Sequence, residues 1–222
     1  MGNEHLIEFC TRIPKTELHA HVNGCIREET LLELASERNI TLSSHLHPDK
    51  VKNSSSSMTL IERMHIHSIT ANGKRRSLSD CFEIFDEIHR CVNDVNALRR
   101  ITREALEDFA LENVVYLELR STPRCLSRCK KNNNALNCDK RGYIQAILDE
   151  FKVFEKRNKC TTKIALIPRL LVSIDRSASL EEAMENVTLA IDLYKKVEPY
   201  IVGVELGGNP IKVREFSIQA KR

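Results

Sequence analysis

Four apolar, β-branched runs punctuate the chain, and helix-length segments separate them: Thr16 to Val22, Val114 to Arg120, Lys163 to Asp175 and Tyr200 to Leu206. Strands that recur in this way are joined by crossovers rather than hairpins, so they lie parallel in an α/β sheet. Pro168 lacks a backbone donor and confines the third strand to the second half of its run. Two architectures share this alternation. A doubly wound sheet opens with a glycine-rich phosphate turn after its first strand, but Asn23-Gly24-Cys25 offers none. A (β/α)₈ barrel therefore fits best, and a chain of 222 residues with four strands corresponds to about the first four of its βα units.

Local signals fill in the helices. Arg27 to Arg38 carries Leu31, Leu32, Leu34 and Ala35 at helical spacing, and Val95 to Glu112 and Arg141 to Phe154 read as further helices. Ser77-Leu78-Ser79-Asp80 and Ser179-Leu180-Glu181-Glu182 are capping boxes, the second opening a helix that reaches Lys196. Ser43 to Lys74, with "NSSSS" at its centre, is too polar and irregular for a regular element and reads as an insertion. The expected organisation is a barrel-type unit over 1–210, interrupted at 43–74, and a divergent tail over 211–222.

Charge and cysteine content narrow the class. The net charge of +3 arises from 34 basic and 31 acidic residues mixed along the chain, which argues against nucleic acid or an anionic membrane as partner. No apolar run approaches the ~20 residues of a membrane span. The eight cysteines form no CxxC pair, no secretory leader precedes them, and they read as free thiols of a cytosolic protein. Cys125, Cys129 and Cys138 match no common zinc spacing.

His19 and His21 stand one residue apart at the end of the first strand run. Side chains in a strand alternate with period two, so both imidazoles share a face, and in a barrel that face is the interior at its carboxyl end. Imidazoles suit Zn²⁺ or Fe²⁺, but a catalytic site takes about three protein ligands, so the pair is part of a site.

The blocks Pro14-Lys15-Thr16-Glu17-Leu18-His19-Ala20-His21-Val22-Asn23-Gly24, Tyr116 to Arg124 (YLELRSTPR), Ser173-Ile174-Asp175-Arg176 and Gly203 to Pro210 (GVELGGNP) occur in the order seen in the adenosine deaminase superfamily. The chain resembles in particular its adenosine deaminase-like branch, the N6-methyl-AMP deaminases. That resemblance implies a (β/α)₈ barrel of the metallo-dependent hydrolase type, with one Zn²⁺ that activates water against C6 of a purine. It implies a small-molecule purine nucleotide as partner and a monomer when full length.

By resemblance His19 and His21 are zinc ligands, and His21, Asn23, His89, Ser121, Thr122, Pro123, Arg124, Asp175 and Gly208 meet the substrate. Asn23 stands where the adenosine-specific branch carries an Asp facing the 5′-hydroxyl. A neutral amide can donate to a 5′-phosphate that a carboxylate would repel, and Arg124 adds a forked cation. Asp175 is equally suited to capping the segment after it. Gly208 corresponds to a glycine whose missing Cβ permits close approach, although Glu205-Leu206-Gly207-Gly208 departs from the usual Asp-Leu-Ser/Ala-Gly.

The family's third zinc-ligating His, its proton-shuttling Glu and its later His and Asp residues lie beyond the fourth strand and match nothing here, so no catalytic Glu is assigned. The expected function is deamination of a purine nucleoside monophosphate, N6-methyl-AMP to IMP and methylamine, with residues 1–222 alone inactive. The alternatives are a non-catalytic nucleotide-binding isoform and an adenosine deaminase. A dihydroorotase-like HxH enzyme is disfavoured by the STPR and GGNP blocks.

Overall fold

In a computed structural model that describes residues 2–42, 78–126, 138–158, 165–197 and 200–210, the strand runs form one parallel sheet. Its strands are β1 (Lys15–His21), β2 (Val114–Ser121), β3 (Ile167–Asp175) and β4 (Ile201–Gly207), paired in the order β1-β2-β3-β4. Sequential order without a switch is the progression of a barrel wall, as the sequence predicts. Pro168 sits at the second position of β3, where a missing donor is tolerated. The expected insertion at 43–74 and the tail at 211–222 lie outside the described residues.

The helices are α1 (Gly2–Arg12), α2 (Glu28–Glu37), α3 (Leu78–Cys91), α4 (Val95–Leu111), α5 (Lys140–Asn158) and α6 (Leu180–Val197). Ser179 caps α6 as its sequence predicts, its Oγ accepting from Glu182 N–H at 3.2 Å. Asp94 caps α4 by accepting from Ala97 N–H at 2.9 Å. Between α4 and β2, Asn113 takes a left-handed φ of 60°, a conformation its short polar side chain tolerates. Its Nδ2 donates to Arg12 O at 2.6 Å and its carbonyl accepts from Lys15 N–H at 3.0 Å, so one residue turns the chain and fixes the entry to β1.

Leu117 and Leu119 of β2 and Leu170 and Val172 of β3 are buried with Leu98, Ile101 and Leu106 of α4 and Ile144, Ile147 and Phe151 of α5. On the rim of that core, Arg99 of α4 reaches Asp149 of α5 at 2.7 Å and Arg103 reaches Glu150 at 3.0 Å. β1 and β4 are the outer strands of the described sheet, and Val202, Val204 and Leu206 of β4 are exposed.

The register of β1 against β2 slips between Glu17 and Ala20, where β1 carries an extra residue. Such a bulge leaves backbone groups without ladder partners. Side chains satisfy them here. His19 N–H donates to Glu17 Oε1 at 2.7 Å, and the Leu18 carbonyl accepts from Arg120 Nη2 of β2. Arg120 Nη1 in turn pairs with Glu205 Oε2 of β4, whose Oε1 accepts from Ser173 Oγ of β3 at 2.7 Å. One guanidinium and one carboxylate thus bridge all the strands across the inner face of the sheet.

Candidate active site

The carboxyl ends of the strands and the face of α3 enclose a cavity of about 870 Å³. Of the residues singled out in the sequence, His19, His21, Asn23, His89, Thr122, Pro123, Arg124, Asp175 and Gly208 line it. Ser121 does not: it is buried behind the wall, its Oγ 2.7 Å from Tyr143 Oη. Placement at the carboxyl end of a parallel sheet is where barrels build their sites.

The imidazoles of His19 and His21 have ring centroids 5.4 Å apart and planes tilted by 50°. With a Zn–N bond of about 2.1 Å, rings on two corners of a tetrahedron have centroids about 5 Å apart, so the pair fits a shared ion. Among the described residues no cluster of three or more His, Cys, Asp or Glu side chains adds further ligands. Loss of solvent on the cavity wall lowers the pKa of His21, opposed by Glu205 and reinforced by His19 and Arg120, which favours the neutral, metal-binding form.

At the other donor group, Tyr143 of α5 is fully buried and its hydroxyl has two hydrogen-bond partners. Asn23 Nδ2 approaches it at 3.5 Å and Ser121 Oγ lies at 2.7 Å. Arg124 donates from Nη2 to Val92 O at 2.6 Å. Burial lowers the Arg124 pKa, partly offset by Tyr143, yet from its usual height the group stays cationic. Asn23 is 8 % exposed, and its Oδ1 and Arg124 Nε are buried polar atoms with no partner in the protein. Orphaned buried polar groups on a cavity are what a polar ligand would satisfy.

Phe82 and Phe85 of α3 add an apolar wall, their ring centroids 6.1 Å apart. His89, on the same helix, has its pKa pushed down to about 4, by burial first and by the charge of Arg124 second, against the opposing Asp86 and Asp175. The unfolded chain, with His near its ordinary 6.5, therefore binds more protons below that pH. The stability that the neutral ring contributes is complete above pH 6.5 and is lost as pH falls toward about 4, His21 acting in the same direction. Thermal melts across this window should show a falling midpoint, and His89→Gln should flatten the fall; an unchanged slope in the variant contradicts the assignment.

Asp175 caps the segment after it, as one of its sequence expectations has it, and it also stands on the cavity. Its Oδ1 accepts from Ser177 N–H at 2.8 Å and Ser177 Oγ at 2.7 Å. Gly208 has φ +85°, and a Cβ there would stand 2.5 Å from Asp175 Oδ1. The missing side chain thus makes room for a carboxylate as well as for the turn. Arg176 holds this end of β4 by donating from Nε to Gly207 O at 2.9 Å and from Nη2 to Leu206 O at 3.1 Å.

Tyr143, Arg120, Glu205, Phe82 and Phe85 were not among the residues that the sequence singled out. Arg120 and Glu205 had a readable signal, because a charge at an inward position of an apolar strand requires a partner. The aromatic residues read simply as members of helical apolar stripes.

The adenosine deaminase family model matches residues 14–217. The chain belongs to the adenosine deaminase family. Within it, the chain is 36 % identical to an N6-mAMP deaminase of Arabidopsis thaliana, over 95 % of this chain and 56 % of that protein. It is 31 % identical to the N6-methyl-AMP deaminase of Homo sapiens, over 91 % of this chain and 48 % of the human one. A crystal structure of Arabidopsis ADAL complexed with IMP superposes with a TM-score of 0.65 at 34 % identity, covering 93 % of this chain and 53 % of that one. This member of the adenosine deaminase family thus spans about half the length of the curated relatives it matches. Its sheet is α/β of the barrel type, with four strands of the wall among the described residues. Among the described residues no helix is long and apolar enough to cross a membrane. Burial pushes the Cys25 thiol up to about 12, which favours the protonated thiol over the thiolate.

Proposed function

We propose that this chain carries the nucleotide-recognition half of a zinc-dependent deaminase acting at C6 of a purine nucleoside monophosphate. The reaction assigned is hydrolysis of N6-methyl-AMP to IMP and methylamine. His19 and His21 would supply two of the metal's donors, held on β1 by the bulge that Glu17 and Arg120 stabilise. When bound, zinc supplies the Lewis acidity that brings the pKa of water toward neutrality. Asn23 and Arg124 take the phosphate, and Phe82, Phe85, His89, Asp175 and Gly208 surround the purine nucleoside.

The observation that carries this reading is the meeting, on one cavity, of the histidine pair with a neutral Asn23 and a cationic Arg124. An adenosine-specific site has no use for a buried cation at that end. None of the described residues on the cavity is assigned as a general acid for the purine ring, so binding without turnover is the expected behaviour.

Calorimetric titration of purified residues 1–222 with N6-methyl-AMP, AMP and adenosine tests the reading, together with an assay for released methylamine. Monophosphate binding tighter than adenosine binding, with no methylamine, is expected. Equal or weaker binding of the monophosphates overturns the phosphate assignment, and methylamine release overturns the expected inactivity.

A further inference from the structure

The proton inventory around Tyr143 is tight. Arg124 stands on the same cavity as an obligate donor, and its Nε has no partner in the protein. The Tyr143 hydroxyl has a single proton, available either to Ser121 Oγ or to Asn23. With Asn23 Nδ2 turned to Tyr143 the contact is a long 3.5 Å, the hydroxyl proton goes to Ser121 Oγ, and Asn23 Oδ1 is left buried without a partner. Such an orphan acceptor costs about 1–3 kcal/mol. Half a turn of the amide gives that oxygen a partner. Tyr143 O–H then donates to Asn23 Oδ1, Ser121 O–H donates to Tyr143 Oη, and the Asn23 NH₂ takes the buried place of the oxygen, where it needs an acceptor that the protein does not supply.

We propose that Tyr143 is the positioning residue that selects between these two settings of the Asn23 amide, and that a phosphate monoester in the cavity locks the donor-outward setting. The inference rests on the nucleoside-monophosphate reading above and adds its specificity determinant: discrimination between nucleotide and nucleoside depends on a hydroxyl that itself never meets the ligand. Several features converge on it. Asn23 is more than nine-tenths buried with an unpartnered oxygen, Arg124 brings a cation to the same cavity, and Tyr143 is fixed in the core with no exposure. An unaided Asn23 would choose either setting freely, since its two amide ends have nearly the same shape.

The test compares AMP and adenosine affinities of residues 1–222 before and after Tyr143→Phe, alone and combined with Asn23→Ala. Tyr143→Phe should weaken AMP about tenfold and adenosine less than about twofold, and it should add nothing once Asn23 is Ala. Equal losses for both ligands, or a full additive loss in the double variant, would overturn the positioning role. Should Tyr143→Phe fail to fold, the Asn23 side-chain NH₂ resonances of the unsubstituted chain, assigned by their disappearance in Asn23→Ala, decide the matter. They must shift with AMP and stay in place with adenosine; no response to AMP rejects the inference. If the unsubstituted chain binds neither ligand, the nucleotide reading itself fails and carries this inference with it, an outcome distinct from binding that is indifferent to Tyr143.

Discussion

Replacing Arg120 by Met should lower the unfolding free energy by about 3–5 kcal/mol, the range for deleting one partner of a buried ion pair. Arg120 is 8 % exposed, and its two terminal nitrogens serve different strands, one reaching Glu205 of β4 and the other the bulge carbonyl Leu18 O of β1. Met fills much of the volume but leaves a carboxylate and a carbonyl without donors. A domain stable by about 5–15 kcal/mol would lose a large fraction of its margin. Glu205→Gln keeps an oxygen that can accept from Arg120, so its cost should be smaller, about 1–3 kcal/mol. Urea titration followed by circular dichroism measures both. An Arg120→Met loss below about 1 kcal/mol, the scale of an exposed pair, would show that the bridge is solvated and energetically idle.

Asn23→Asp should reverse the ligand preference of the cavity. A carboxylate about 5 Å from a phosphate charge repels it by about 3 kcal/mol at an effective dielectric constant of 20, with Arg124 offsetting part. AMP affinity should therefore fall by about tenfold to a hundredfold, while adenosine, which brings a hydroxyl that can donate to the new carboxylate, should bind as well or better. Isothermal titration at moderate salt reads both constants in one series. If the variant still prefers AMP by the original ratio, Asn23 does not face the phosphate and the monophosphate assignment must rest on Arg124 alone.

The parallel sheet was readable because strand-length apolar runs and capping residues are local features: Pro168 near the start of β3 and Ser179 ahead of α6 act within a few residues of themselves. Nine of the residues singled out for the site line the cavity: the resemblance of the sequence blocks named them, and the ends of successive parallel strands bring them together. The bulge in β1 was not readable, because an alternating pattern looks the same with or without an extra residue at Leu18 and His19. Nor was Tyr143: in sequence it heads the stripe Tyr143, Ile144, Ile147 and Phe151, and its hydroxyl acts on residues that are distant in the chain. Ser121 was placed in the substrate site by its STPR neighbours, whereas the period of β2 turns it behind the wall to Tyr143.

The bridge from β1 to β4 also bears on the order in which the molecule can assemble. Arg120 and Glu205 are 85 residues apart, and Arg120 and Leu18 are 102 apart, so the contacts that brace the His19-Ala20-His21 segment are among the most non-local in the chain. Closing such distant pairs is entropically slow and comes late. A chain leaving the ribosome exposes its histidine pair early but gains the full brace only after residue 205 has emerged and β4 has docked. Until then the pair sits on an incompletely held strand, and metal capture at that stage would compete with folding rather than follow it.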